Sequence, residues 1–240
     1  MSNLPPKEKE HLEIIASNSL YTTFSNTMMI EYCYKVFSRY LIQGSILELG
    51  PAEGLMTAFL INQTNDITLV EGSDVFCKQL HEKFPSAHIT CSFFEDYKPK
   101  KLFDNIVLGH VLEHVEDPIF ILKQCKLWLS PKGRILAAVP NLRSIHRQAA
   151  VIMNLLETED SMTELDHHHG HRRIYSPESF RNDFKKAGLQ ILQFGGYWLK
   201  PVSNRQIHDN WNKEMLYSFM QLGERYPDIA AEIYIISSND

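Results

Sequence analysis

The chain has 240 residues, 44% of them apolar and 22% charged, with a formal net charge of −5. That length suits one α/β domain with extra helices rather than two full domains, and the apolar share is enough for a large core. An acidic chain is a poor partner for nucleic-acid backbones, which call for a basic surface, so no nucleic acid is expected.

Residues 7–40 read as a helical cap, with Ile30, Cys33, Tyr34 and Phe37 at i, i+3, i+4 and i+7. Strands are predicted at 45–49, 67–71, 87–92, 103–109 and 134–139, and helices at 55–63, 73–84 and 118–129. Ser73 or Asp74 caps the second of these helices, and a turn at 131–133 precedes the fifth strand. This alternation implies an α/β fold, a doubly wound, mostly parallel sheet with helices on both faces. Ligands of such sheets bind beyond the carboxyl ends of the strands. After Val139 the alternation stops. Residues 141–157 read as helix and 158–173 as a polar, histidine-rich loop or short helix. Residues 176–187 form a helix that starts on Ser176 and Pro177. Strands at 189–198 and 230–237, with a helix at 210–224 between them, complete the sheet. The start of the chain is charged, and no apolar run reaches about 18 residues, so neither a signal core nor a membrane span is expected. Cys33, Cys77, Cys91 and Cys125 are widely spaced without a CxxC pair, which predicts reduced thiols in a cytoplasmic protein.

The segment from Ile46 to Gly54 falls at the first strand-to-helix turn. Gly50 permits a tight turn and close approach of a ligand to the backbone, and Gly54 opens the following helix. Glu71 ends the second strand about 20 residues later, where a carboxylate can grip a ribose diol. The same layout suits a nicotinamide dinucleotide. Against that, Ala52 stands where the G-x-G-x-x-G fingerprint needs its second glycine, and Glu48 favours a cationic or amino-bearing ligand over a phosphate.

Glu48 to Gly54 is similar to the E/D-x-G-x-G-x-G signature of class I S-adenosylmethionine methyltransferases. Phe103 to Pro118 (FDNIVLGHVLEHVEDP) resembles their fourth strand and turn. Leu129-Ser130-Pro131-Lys132-Gly133-Arg134 with Val139-Pro140-Asn141 resembles their fifth strand, and His171 to Phe180 (HRRIYSPESF) an element that follows it. The resemblance covers residues 45–189. It implies a Rossmann-like sheet with a late antiparallel strand, S-adenosyl-L-methionine as cofactor, and methyl transfer to an O, N or C atom by direct displacement. It assigns Glu48 to the cofactor's amino-acid end and the backbone of Gly50, Ala52 and Gly54 to making room for it. Glu71 takes the ribose hydroxyls, Gly72 the adenine side, Ser92, Phe93 and Phe94 the adenine, and Gly109 and His110 the floor beneath the sulfonium. Two positions depart from the pattern. The Ala52 methyl is tolerated only at negative φ, and Ser92 replaces an aspartate common in the family.

On this reading residues 1–44 are a helical cap, 45–140 the cofactor-binding core, 141–175 a lid over the substrate, and 176–240 the completion of the sheet. The acceptor, a polar small molecule, is expected among residues 141–173, 195–204 and Trp211. His110 sits where the fourth strand meets the cleft, and Glu113 and His114 share a helical face with it. In the run Asp166-His167-His168-His169-Gly170-His171, adjacent side chains point to opposite sides, so no metal is expected. His110, His167, His168 and His169 are the candidate general bases, and Tyr21 is a further candidate that covers the cofactor. His171, Arg172 and Tyr175 are candidate substrate contacts, with an arginine suited to a carboxylate or phosphate. The protein is expected to act as a monomer or homodimer. The alternatives are a non-catalytic S-adenosylmethionine-binding or regulatory protein and an NAD-dependent oxidoreductase.

Overall fold

The computed structural model describes residues 6–19 and 22–239; Tyr21, a candidate above, lies outside them. Two helices open the chain, α1 (Pro6–Ser17) and α2 (Phe24–Ser38). They replace the continuous helix predicted for 7–40, because Thr23 adopts an extended conformation as the N-cap of α2. The alternating core follows: β1 (Ile46–Leu49), α3 (Thr57–Leu60), β2 (Ile67–Glu71), α4 (Asp74–Lys83), β3 (His88–Cys91), β4 (Phe103–Gly109), α5 (Pro118–Trp128) and β5 (Leu129–Pro140). Helix α3 is a short remnant of the helix predicted at 55–63, since the chain before it runs in turns. Helix α4 starts where Ser73 accepts from the Phe76 amide, and α5 where Asp117 accepts from Phe120 with Pro118 at the first turn. Strand β5 contains the predicted 131–133 turn as a bulge: Phe103 pairs with Leu129 and Asn105 with Arg134, so residues 130–133 stand opposite Asp104 alone.

The late elements are α6 (Ile145–Ile152), α7 (Glu164–His168), α8 (Pro177–Lys186), β6 (Gln190–Tyr197), α9 (Asn204–Asn210), α10 (Lys213–Gly223), a 3-10 turn at Pro227–Ile229 and β7 (Glu232–Ser238). The strand order is β3-β2-β1-β4-β5-β7-β6. All neighbours pair in parallel except β7, which is antiparallel to both β5 and β6. Beginning where the other strands end, β7 carries its first residue, Glu232, to the ligand edge of the sheet.

Strand residues alternate between two cores. Leu47, Leu49, Ile106, Leu108, Ile135, Ala137, Ile233 and Ile235 face α5 and α8, packing on Ile121, Leu122, Phe180 and Phe184. Ile46, Leu69, Val107, Leu136, Tyr234 and Ile236 face the other side, against Val36 and Phe37 of α2 and Leu216 and Met220 of α10. Burial on both faces is what a parallel sheet demands, and each such aliphatic side chain contributes about 1.5–3 kcal/mol. One expectation is overturned: Cys77 of α4 and Cys91 of β3 form a disulfide, and Cys33 and Cys125 alone are free thiols, both buried. The β2–α4–β3 crossover brings the paired positions to a Cα separation of 6.0 Å, within the span a disulfide bridges. Spacing in the sequence does not reveal that proximity. Among the described residues no helix is long and apolar enough to cross a membrane.

Candidate functional site

A cavity of about 950 Å³ runs along the carboxyl edge of the sheet, roofed by α1 and by the segment 146–172. It opens where the strand order reverses between β1 and β4, the switch point of an open α/β sheet. Glu48, Gly50, Ala52, Glu71, Gly72, Phe93, Phe94, Gly109, His110, His169, His171 and Arg172 all line it.

At the β1–β2 end stand two buried carboxyls. Glu48 accepts a 2.6 Å hydrogen bond from the Thr57 hydroxyl. Burial pushes its pKa up to about 8, against the pull of Thr57 and with the help of Glu71. Glu71 accepts from the amides of Ala52 at 3.1 Å and Ser73 at 2.9 Å, and burial raises its pKa as well. Gly50 has φ +65°, and a Cβ there would come within 3.1 Å of Val111. Ala52 has φ +48°, which corrects the expectation of a negative φ. The left-handed conformation aims its N–H at Glu71, and that charge-assisted bond offsets a strain of about 1–2 kcal/mol. Gly54 does not line the cavity. With φ +80°, it sits where a Cβ would lie 2.4 Å from the Phe84 ring, so its bareness serves the packing of α4. Ser92 also lies outside the cavity, its hydroxyl turned to the Phe93 carbonyl.

Helix α1 straps this end. Glu13 accepts hydrogen bonds from the Ser73 hydroxyl at 2.8 Å and the Asp74 amide at 2.6 Å, and Glu8 pairs with Arg172 at 2.6 Å. Arg172 also donates Nε to the His114 carbonyl.

Toward β5, β7 and β6 the cavity turns ionic. His110 follows the last residue of β4 and has φ +61°. Its Nδ1 lies 3.4 Å from Glu113 and 3.7 Å from Glu232, and its Nε2 lies 3.2 Å from the Tyr197 hydroxyl. Burial opposes a charged ring, but Cys33, Glu113 and Glu232 outweigh it and raise the His110 pKa well above the ordinary value. Glu113 is fully buried, and neither of its carboxylate oxygens has a hydrogen-bond partner. Beside it, burial lowers the pKa of His114 to about 4, and the His114 and His171 rings meet edge to face at 4.8 Å. Ligand atoms of Glu113, His114 and His171 gather within 4.8 Å, close enough for a metal ion. His171 Nδ1 lies 3.2 Å from Asp166. Asp166 completes a capping box with Thr163 at the start of α7 and lies 3.4 Å from Arg147. Burial would raise the Asp166 pKa, yet His171, Thr163 and Arg147 hold it well below the usual carboxylate range.

The histidine run is divided by α7. His169 is buried against the cavity, where burial and the neighbouring histidines lower its pKa to about 4. His167 and His168 are exposed outside it, and His168 contacts the Asn18 carbonyl. Tyr175 faces away from the cavity, buried with its hydroxyl donating to Asp183 at 3.1 Å, and Trp211 also stands apart from it. Lining residues that no sequence motif marked are His146, Arg147, Lys200 and Glu232. His146, Arg147 and Lys200 fall within the ranges 141–173 and 195–204 expected for the acceptor, and the lid, the chain after β6 and the start of the reversed last strand bring them together with Glu232.

Residues 29–194 match the sequence model of the methyltransferase domain family. The chain is 27% identical over 188 residues to a ubiquinone biosynthesis O-methyltransferase of Rhizobium etli, covering 75% of this chain and 72% of that protein. It is 29% identical over 126 residues to the protein of that name in Rhizobium leguminosarum bv. trifolii, covering 51% of this chain and 46% of the relative. The fold resembles a SAM-dependent methyltransferase of Thermotoga maritima, a possible histamine N-methyltransferase, with a TM-score of 0.65 at 15% identity over 97% of this chain and 100% of that one. It also resembles the N-methyltransferase NodS of Bradyrhizobium japonicum, solved with S-adenosyl-L-homocysteine, with a TM-score of 0.59 at 12% identity over 96% and 97% of the two chains.

Proposed function

We propose, from the premise that this chain belongs to the class I S-adenosylmethionine-dependent methyltransferases, that it methylates a hydroxyl group of a polar small molecule. The β1–β2 end fits the cofactor: a bare turn at Gly50, one carboxyl held by the Thr57 hydroxyl and placed to meet a cationic amino group, and another at the tip of β2 for a diol. Glu48 then orients the amino-acid end, Glu71 and Gly72 hold the ribose side, and Phe93 and Phe94 flank the adenine. When bound, S-adenosylmethionine supplies a methyl carbon on a sulfonium, already electrophilic enough to be displaced. The protein's remaining work is alignment, exclusion of water and removal of the acceptor's proton.

The observation that carries the acceptor reading is His171, which faces the cavity with its Nδ1 against Asp166. A carboxylate on one ring nitrogen fixes the tautomer and leaves Nε2 to accept a proton. His171 is therefore read as the base, Asp166 as its positioning residue, and the ionised His110–Glu113 pair as the floor of the site. Names of relatives support oxygen as the acceptor atom. Residues 141–175 form the lid in this reading, and net charge −5 keeps nucleic acid out of the acceptor role. The test pairs calorimetry with S-adenosylhomocysteine and a mass-spectrometric screen of hydroxylated acceptors. Changing His171 to Ala is expected to lower kcat by about 10²–10⁴ while product affinity stays within about threefold. An unchanged kcat removes His171 as base, and failure of wild-type protein to bind S-adenosylhomocysteine removes the whole reading.

A further inference from the structure

The far end of the cavity, beyond His110 and His171, holds donors that the reaction above does not use. Lys200 follows β6 and lines the cavity with 9% of its surface exposed. Among the described residues its ammonium has neither a hydrogen bond nor a carboxylate at ion-pair distance; it lies 4.8 Å from the centre of the Trp198 ring. Trp198 borders the same space, and its indole N–H, which can only donate, is buried without an acceptor. His146 of α6 adds a third nitrogen, its Nδ1 buried and unpartnered. Burial, with Lys200 and Arg147 nearby, lowers the His146 pKa to about 3, so at neutral pH the ring is uncharged and one nitrogen donates.

The surrounding charges do not satisfy this group. Arg147 is committed to the carbonyls of Glu159 and Ser161 and to Asp166. Asp166 is taken up by Thr163, His171 and Arg147. Glu232 leans to His110 at 3.7 Å, and its Oε2 is itself unpartnered. Burial lowers the Lys200 pKa to about 8, and Glu232 is the anion that pulls most strongly the other way, from beyond ion-pair distance. An ammonium held inside with no anion in contact is costly, and a tryptophan N–H without an acceptor adds to that cost.

We propose that the methyl acceptor carries an oxyanion group, a carboxylate or phosphate, which seats against Lys200 with the Trp198 N–H and His146 around it. This deepens the methyl-transfer reading and rests on it. Lys200 binds and orients the acceptor; it takes no proton from it. The arrangement separates the two tasks of the acceptor half. Its reactive hydroxyl meets His171, and its anionic end meets Lys200 just past the carboxyl end of β6, across the carboxyl end of β5 and the start of β7.

The test uses full-length protein saturated with S-adenosylhomocysteine and titrated with benzoate, benzamide and inorganic phosphate, with ionic strength held constant by chloride. Binding is read by calorimetry and by thermal shift. The expected result is saturable stabilisation by benzoate or phosphate and binding of benzamide weaker than benzoate by about tenfold or more. Lys200→Met is expected to weaken anion binding by a similar factor, Lys200→Arg to retain it, and both to bind S-adenosylhomocysteine within about threefold of wild type. Trp198→Phe, which keeps the ring and removes the N–H, supplies an independent reading if Lys200→Met does not fold. No saturable anion binding, equal binding of benzamide, or anion binding unchanged in Lys200→Met and Trp198→Phe overturns the proposal. In each of those cases intact S-adenosylhomocysteine binding leaves the methyl-transfer reading standing. Loss of that binding in wild-type protein overturns both.

Discussion

The two halves of one cavity are built in different ways. The β1–β2 half is local: its turn, its two carboxyls and its aromatic wall come from residues 48–94, and backbone conformation does much of the shaping. The other half is assembled from distant parts, with His110 from β4, His146 and His171 from the lid, Lys200 after β6 and Glu232 from β7. A ligand shared by a whole family can be met by a short, local geometry of the chain. A ligand peculiar to one enzyme is met by side chains on segments free to vary around the same sheet.

Three experiments break or sharpen that contrast. The largest effect is expected at Gly54, where Ala combines a φ of +80° with a Cβ 2.4 Å from Phe84. A loss of about 2–4 kcal/mol in chemical denaturation follows, with S-adenosylhomocysteine affinity near wild type in the folded fraction. A large affinity loss instead would return Gly54 to the ligand. Next is Glu48→Gln, expected to weaken S-adenosylhomocysteine by about 1.5–3 kcal/mol without changing the KM of the acceptor. Because burial lifts the Glu48 pKa to about 8, cofactor-free protein holds that proton at neutral pH. Affinity for the cationic amino group should rise with pH from 6 to 8, by at most about tenfold per unit, and level off above. The gradient should vanish in Glu48→Gln. The sign for stability is opposite. The buried neutral carboxyl contributes fully below its unfolded pKa of about 4.3, and that contribution is lost as pH rises through about 8. The smallest effect is at Tyr175→Phe, which removes the bond to Asp183 for about 1 kcal/mol of stability and leaves kcat/KM unchanged.

The same contrast governs what the sequence reveals. The inner strands, buried on both faces, read as continuous apolar runs, while the edge strands β3 and β6 are partly exposed and are placed by their position in the alternation and by the turns around them. The positions of Glu48, Gly50 and Glu71 are legible because the turn chemistry lies in consecutive residues. The conformation of Ala52 is not legible, because a positive φ in a non-glycine residue depends on a partner, here Glu71, brought near only by the fold. The run of histidines at 167–171 looks uniform as letters. Helix α7 sorts it into cavity and solvent, and only its start, the Thr163–Asp166 capping box, has a local signal. Tyr175 carries a motif that marks packing rather than contact with a ligand. Lys200 lies in the range 195–204 expected for the acceptor, but no motif singles it out, and Glu232 lies outside every expected range; their proximity is created by the order of β5, β7 and β6.

That strand order also sets a timetable. A chain emerging from the ribosome tends to fold from its amino end, and residues 46–109 already contain the turn and both carboxyls of the cofactor half. Strand β6 cannot join the growing sheet by itself, because among the described residues its only partner is β7, which wedges between it and β5. Under the proposed assignment, the nascent protein therefore acquires the means to hold a methyl donor well before it has anywhere to put a recipient, and residues 232–238 are the keystone whose arrival turns a holder into a catalyst.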